Sequence, residues 1–171
     1  MNTVAPRFIF LLTILAMGIT SCINPPDFPI EPVLTYEGTN KDALFQNAPG
    51  FPNDTLEIYL KFTDGDGDID TEEDQANIDI KDSKGLWEGV PVLYSIPAIP
   101  EEGTGNGIRG DLTLRITNGG LCCVNSSGIL CQTNFPAGAA DTISFTIQVT
   151  DNAGNKSNII RTDVIELMCT Q

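Results

Sequence analysis

The sequence predicts an all-β domain, a single β-sandwich of about seven short strands. Apolar residues recur at every second position in several short runs, above all Leu56, Ile58, Leu60, Phe62 and then Ile143, Phe145, Ile147, Val149. That two-residue period belongs to strands with one buried face. Nowhere do apolar residues recur at helical spacing for three turns, and Gly, Pro and Asn turns separate the runs. A small barrel is the main competitor. No internal repeat is evident, which argues against propellers and solenoids.

The first 21 residues read as a leader rather than as part of the domain. Arg7 supplies a basic start, Phe8 to Met17 an apolar stretch, and small residues then precede Cys22. The apolar stretch is too short to span a bilayer and fits an export signal. Ile19-Thr20-Ser21-Cys22 resembles the lipobox of bacterial lipoproteins. The resemblance implies that Cys22 carries the lipid, palmitate among its acyl chains, and becomes the first mature residue. It also implies a cell-envelope address. Ile23 is not the aspartate that retains enteric lipoproteins in the inner membrane, so the expected site is the outer membrane, periplasmic or surface-facing. Residues 22–32, with Pro25, Pro26, Pro29 and Pro32, then form an extended tether, and residues 33–171 the domain.

Without residues 1–21 the chain keeps 150 residues, enough for one domain with a core, and 8 basic against 23 acidic residues, a net −15. Such a surface repels nucleic acid and anionic head groups. The expected partners are the membrane, through the lipid anchor alone, and an envelope protein or glycan.

Strand by strand, Val33 to Glu37 is the first, and residues 41–50 are a loop around Leu44 and Phe45. Thr55 to Thr63 is the strongest early strand, and Thr71 and Asp74 have capping-box spacing for a short helical turn after it. Asn77 to Asp82 alternates again. Val90 to Ile96 reads as an edge strand because Pro91 and Pro97 cannot donate to a ladder. Leu112 to Thr117 is the fifth strand and leads into a cysteine hairpin. Ile143 to Thr150 and Asn158 to Leu167 form the clearest hairpin, around the tight turn Asp151-Asn152-Ala153-Gly154-Asn155.

That last hairpin, residues 149–157, resembles the final hairpin of bacterial immunoglobulin-like and cadherin-like envelope domains. Phe62 to Asp70 is similar to loops of small Ig-like lipoproteins. These motifs cover about a quarter of the domain and imply an Ig-like sandwich. The Cys…Trp…Cys signature of antibody domains is missing, and Trp87 stands in a glycine-flanked turn.

The chemistry concentrates in Asp64-Gly65-Asp66-Gly67-Asp68-Ile69-Asp70. Four carboxylates at alternate positions repel one another unless they stay hydrated or share a cation. Asp64, Asp66 and Asp68 match positions 1, 3 and 5 of a calcium loop, with Ile69 in place of the glycine and Gln75 in place of the closing glutamate. The loop is therefore not an EF-hand but a candidate Ca²⁺ loop of a looser kind. In an Ig-like topology it falls at the same end as Asp151, so the expected ligand set is Asp64, Asp66, Asp68, Asp70 and Asp151. The competing reading is a set of Asx-turns facing solvent.

Cys122, Cys123, Cys131 and Cys169 are expected in two disulfides, since export leaves the reducing cytoplasm. Adjacent cysteines seldom bond each other, so two pairings survive. In both, one bridge closes the hairpin at Cys131 and the other reaches Cys169. A zinc site would need all four sulfurs without the usual spacing.

The chain has no histidine, which removes the Ser-His-Asp and Cys-His arrangements, and a non-enzymatic binding or structural module is expected. Carbohydrate binding is the alternative, with Trp87 and Tyr94 as candidate glycan contacts and Tyr36 and Tyr59 behind them. A glycoside hydrolase using Glu72 with Asp70 is the weaker one. Asp54-Thr55-Leu56 and Asp141-Thr142-Ile143 resemble the Asp-Ser/Thr-apolar sites O-glycosylated in some bacterial envelopes, which makes Thr55 and Thr142 candidate modification sites.

Overall fold

The computed structural model describes residues 27–71, 75–88, 94–99, 107–124, 128 and 135–169. Among them there is no helix, and the chain is all-β. Among the described residues nine strands, rather than the seven expected, form three three-stranded sheets. The leader, Cys22 and residues 72–74 of the expected helical turn lie outside the described residues, as do residues 90–93 and Cys131.

The first sheet has the order β1-β3-β5, where β1 is Val33–Thr39, β3 Thr55–Asp64 and β5 Ile108–Thr117. β3 and β5 pair antiparallel over ten residues, from Thr55 opposite Thr117 to Asp64 opposite Ile108. On β3 the inward row is Leu56, Ile58, Leu60 and Phe62, at most 6% exposed. Gly110 lies under the Phe62 ring, where a Cβ would meet the ring at 2.9 Å.

The second sheet runs β4-β7-β8, with β4 at Ile78–Asp82, β7 at Phe145–Val149 and β8 at Ile160–Arg161. The third runs β2-β9-β6, with β2 at Ala43–Phe45, β6 at Ala140–Ile143 and β9 at Ile165–Met168. The inner faces of all three contribute to one apolar cluster that includes Leu44, Leu60, Leu114, Ile147 and Leu167. Burial of such a continuous cluster is the main favourable term in folding.

Two expected strands are each divided. Residues 143–150 cross from the third sheet to the second at Ser144, and residues 158–167 return at Thr162 to Val164. Three consecutive buried residues, Ile143, Ser144 and Phe145, mark the first crossing and break the two-residue period. Hydroxyls replace the lost ladder partners there. The Ser144 amide donates to Ser83 Oγ at 3.0 Å, and the Phe145 amide to Thr162 Oγ1 at 3.0 Å. Buried backbone groups need partners, so these side chains make the crossings tolerable.

The expected loop at residues 41–50 contains β2, which pairs parallel with β9 because fully buried Leu44 anchors it in the core. Of the expected strand at residues 90–96, Tyr94 makes an isolated bridge to Ile78. Cys123 and Cys169 are disulfide-bonded, with buried Gln46 between their backbones. Gln46 Nε2 donates to the Cys169 carbonyl, and the Cys123 amide donates to Gln46 Oε1. Cys122 is disulfide-bonded as well.

Candidate metal centre

Two core-facing rows end in aspartates at the same end of the molecule. On β3 the inward positions 56, 58, 60 and 62 continue to Asp64, which is 0% exposed. On β7 the inward positions 145, 147 and 149 continue to Asp151, which is 5% exposed. The alternation that fills the core with apolar side chains thus carries a carboxylate inward at each strand end.

The loop after β3 is held at several points. Ile69 is fully buried, and Asn77 Nδ2 donates to its carbonyl at 2.6 Å while Asn77 Oδ1 accepts from the Ile96 amide. The Asn152 amide donates to the Asp68 carbonyl, which ties the loop to the turn at 151–155. Gly67 has a φ of 77°, a left-handed conformation that favours glycine. In the turn, Asn155 donates to both carboxylate oxygens of Asp151, from its backbone to Oδ1 at 2.7 Å and from Nδ2 to Oδ2 at 2.9 Å.

These constraints bring Asp64, Asp66, Asp68 and Asp151 together, each offering a carboxylate oxygen within 4.8 Å of the others. Asp66 is exposed and the other three are buried or half-buried. Asp70, expected in the set, is not in the cluster. Its Oδ2 accepts the Ile99 amide at 2.7 Å, which fastens the loop exit instead.

No well-formed hydrogen bond reaches either carboxylate oxygen of Asp64 or Oδ1 of Asp68, all three buried, and the nearby Asp68 amide only partly offsets the burial of Asp64. Burial, and then the charges of Asp66 and Asp68, push the Asp64 carboxyl up to about 6 from 3.8. Burial and the charge of Asp151 raise Asp68 too. A buried carboxylate with neither cation nor donor is strongly disfavoured. The donor set is oxygen alone, acidic and partly withdrawn from water, and it can hold a metal ion.

The remaining candidates have structural surroundings. Trp87 stacks on Phe145 with ring centroids 5.4 Å apart, and its Nε1 donates to the Gly119 carbonyl. Tyr94 packs against the core and donates from its hydroxyl to the Arg115 carbonyl. Exposed Tyr59 donates to Glu57, and Tyr36 faces Asp163. Thr55 is half-buried at the start of the central strand β3, and Thr142 is exposed on β6.

In both Asp-Thr pairs the aspartate accepts the following threonine amide. Asp54 pairs with Lys41 and Asp141 with Lys84. Burial works to raise both carboxyls, but the lysine and amide hydrogen bonds outweigh it and hold them below the usual carboxylate value.

Reading the two-residue period one step past each strand would have marked Asp64 and Asp151 as core-facing. Comparison of the chain with protein-family models, curated proteins and solved structures finds no match.

Proposed function

We propose that this chain is a non-enzymatic cell-envelope lipoprotein, a binding or structural module on a lipid anchor, whose Ig-like domain is stabilised by Ca²⁺ bound at Asp64, Asp66, Asp68 and Asp151. The observation that carries the cation reading is Asp64, fully buried among three other carboxylates with no well-formed hydrogen bond to either of its carboxylate oxygens. Among cations, Ca²⁺ suits a site of several carboxylates on two loops. It accepts six to eight oxygens in irregular geometry, whereas Mg²⁺ demands a near-ideal octahedron and keeps its waters. Thiophilic metals have no sulfur or imidazole ligand among the four residues.

The anchor reading rests on Cys22 and the residues before it. The carbohydrate reading gains nothing from Trp87 and Tyr94, whose rings serve the core. A hydrolase reading loses Asp70 as an available acid, because the Ile99 amide engages it.

Calorimetric titration of the disulfide-bonded chain with Ca²⁺ and with Mg²⁺ tests the proposal. One Ca²⁺ site is expected, with a Kd of roughly 10⁻⁴ to 10⁻³ M as in other extracellular modules, and weaker Mg²⁺ binding. No heat of Ca²⁺ binding up to about 10 mM, ten times the top of that range, contradicts it.

A further inference from the structure

The two glycines of the acidic loop serve different purposes. Gly67 is required by its left-handed backbone. Gly65 has no such φ, and contact alone forbids a side chain there. A Cβ at Gly65 would stand 2.4 Å from the Phe28 carbonyl oxygen, 2.5 Å from that of Pro29 and 2.7 Å from the Pro29 carbonyl carbon. All three are backbone atoms, which cannot swing aside as the end of a flexible side chain can. The segment Asp27–Pro32 therefore lies as a strap directly on the cation loop, one residue from Asp64 and one from Asp66.

Little else holds this strap. Asp27, Pro29, Ile30 and Glu31 are exposed, Phe28 is half-buried and Pro32 buried. No described residue hydrogen-bonds to residues 27–32. The first ties come at the start of β1, where Val33 pairs with Thr63 and the Leu34 amide and carbonyl both bond the Asn158 side chain. The seat at Gly65 is thus a main determinant of where the strap runs. Its shape depends on whether four clustered carboxylates are neutralised or repelling one another.

We infer that strap and cation are coupled through Gly65: an occupied site clamps residues 27–32 onto the loop, and a vacant one releases them. This rests on the cation reading above. Reciprocity requires that releasing the strap weaken the cation by the same factor. The consequence is geometric. Asp27 is five positions after Cys22, a reach of at most about 18 Å. With the strap clamped, an N-terminal anchor at Cys22 keeps the acidic end of the domain near the membrane surface. With the strap free, the domain swings on a tether up to about 40 Å long, from Cys22 to Val33.

The test uses residues 22–171 with Cys22→Ser and the disulfides formed. Backbone order parameters at Phe28, Ile30 and Glu31, from ¹⁵N relaxation, are expected to rise from below about 0.6 in chelator to about 0.85 with saturating Ca²⁺. Gly65→Ala is expected to weaken Ca²⁺ about tenfold with the fold intact by Trp87 fluorescence, and deletion of residues 22–30 by the same factor. Combining the two should add nothing, because both remove one contact. If Ca²⁺ binds but the strap's order parameters are unchanged, or the deletion leaves affinity intact, the coupling is wrong and the cation site stands. If Ca²⁺ does not bind the parent chain, both readings fall.

Discussion

Asp64 and Asp151 are the last members of two inward-facing rows, and they meet. One row runs along β3 and the other along β7, in different sheets, and the two buried aspartates bring carboxylate oxygens to within 4.8 Å of each other. A cation between them links the sheets at that end. Without one, each sheet delivers a negative charge to the same buried place.

The first prediction concerns pH in metal-free buffer. Asp64 binds its proton at about 6 in the folded chain against an ordinary 3.8, so between those values the folded state holds more protons than the unfolded one. Stability then rises as pH falls from about 7 toward 4, the reverse of the usual carboxylate behaviour. Asp68 acts in the same direction. Asp54 and Asp141 have the opposite sign: their contribution is full above the ordinary value and is lost as pH falls through their lowered ones. Denaturant midpoints from pH 8 to 3 should therefore pass through a maximum on the acid side of neutrality. A midpoint that falls steadily below pH 7 contradicts the assignment.

Asp82 holds the only tryptophan in place. Its Oδ1 accepts the Lys84 and Leu86 amides and its Oδ2 the Trp87 amide. Asp82→Ala should cost about 2 kcal/mol, the worth of losing charge-assisted hydrogen bonds to amides. Trp87 should then leave Phe145, and its emission should shift to the red. Unchanged emission and stability would show that the turn holds itself.

The disulfide between Cys123 and Cys169 spans 46 residues. The chain-entropy relation gives about 4 kcal/mol for a loop of that length. Replacing both cysteines by alanine should lower the urea-unfolding free energy by about that amount. It should also loosen Gln46, whose two side-chain bonds reach the backbones of these cysteines.

Much of this architecture is legible in the residues. The runs at 56–62, 78–82 and 112–117 are strands because alternation leaves one face to bury, and the structure places strands there. The divided strands were not legible: at Ser144 and Thr162 the chain changes sheets through side-chain hydroxyls, and polarity alone does not distinguish such residues from outward-facing positions. β2 escaped because three residues carry no period, and its parallel pairing with β9 is a long-range contact. For the site, carboxylate spacing pointed to Asp64, Asp66 and Asp68, and a topological argument to Asp151. Asp70 had the same spacing, but a tertiary contact with Ile99 took it. The role of Gly65 depends on a strap about 35 residues away in the chain, which no local pattern reveals.

Asn77 bears on the proposed cation site through other residues. It joins the Ile69 carbonyl to the Ile96 amide and so fixes the loop without belonging to the cluster. Asn77→Ala should leave a folded chain with Ca²⁺ affinity weakened about tenfold, within the range that loosened supporting shells produce. Titration calorimetry measures this, and an unchanged Kd would show that the loop's other ties, the Asn152–Asp68 and Ile99–Asp70 bonds among them, hold it without Asn77.

The most direct test compares wild type with Asp64→Asn by thermal melting, once in chelator and once in 10 mM Ca²⁺. The substitution keeps the shape of the side chain and removes its charge. In chelator, Asp64→Asn should melt above wild type, because an unpaired buried charge is gone. In Ca²⁺ the order should invert, because wild type gains RT ln(1 + [L]/Kd) and the variant little. That inversion would establish Asp64 as a cation ligand. Two melts that keep the same order in both buffers, with no Ca²⁺ shift in wild type, would show the four carboxylates to be a cluster without an ion.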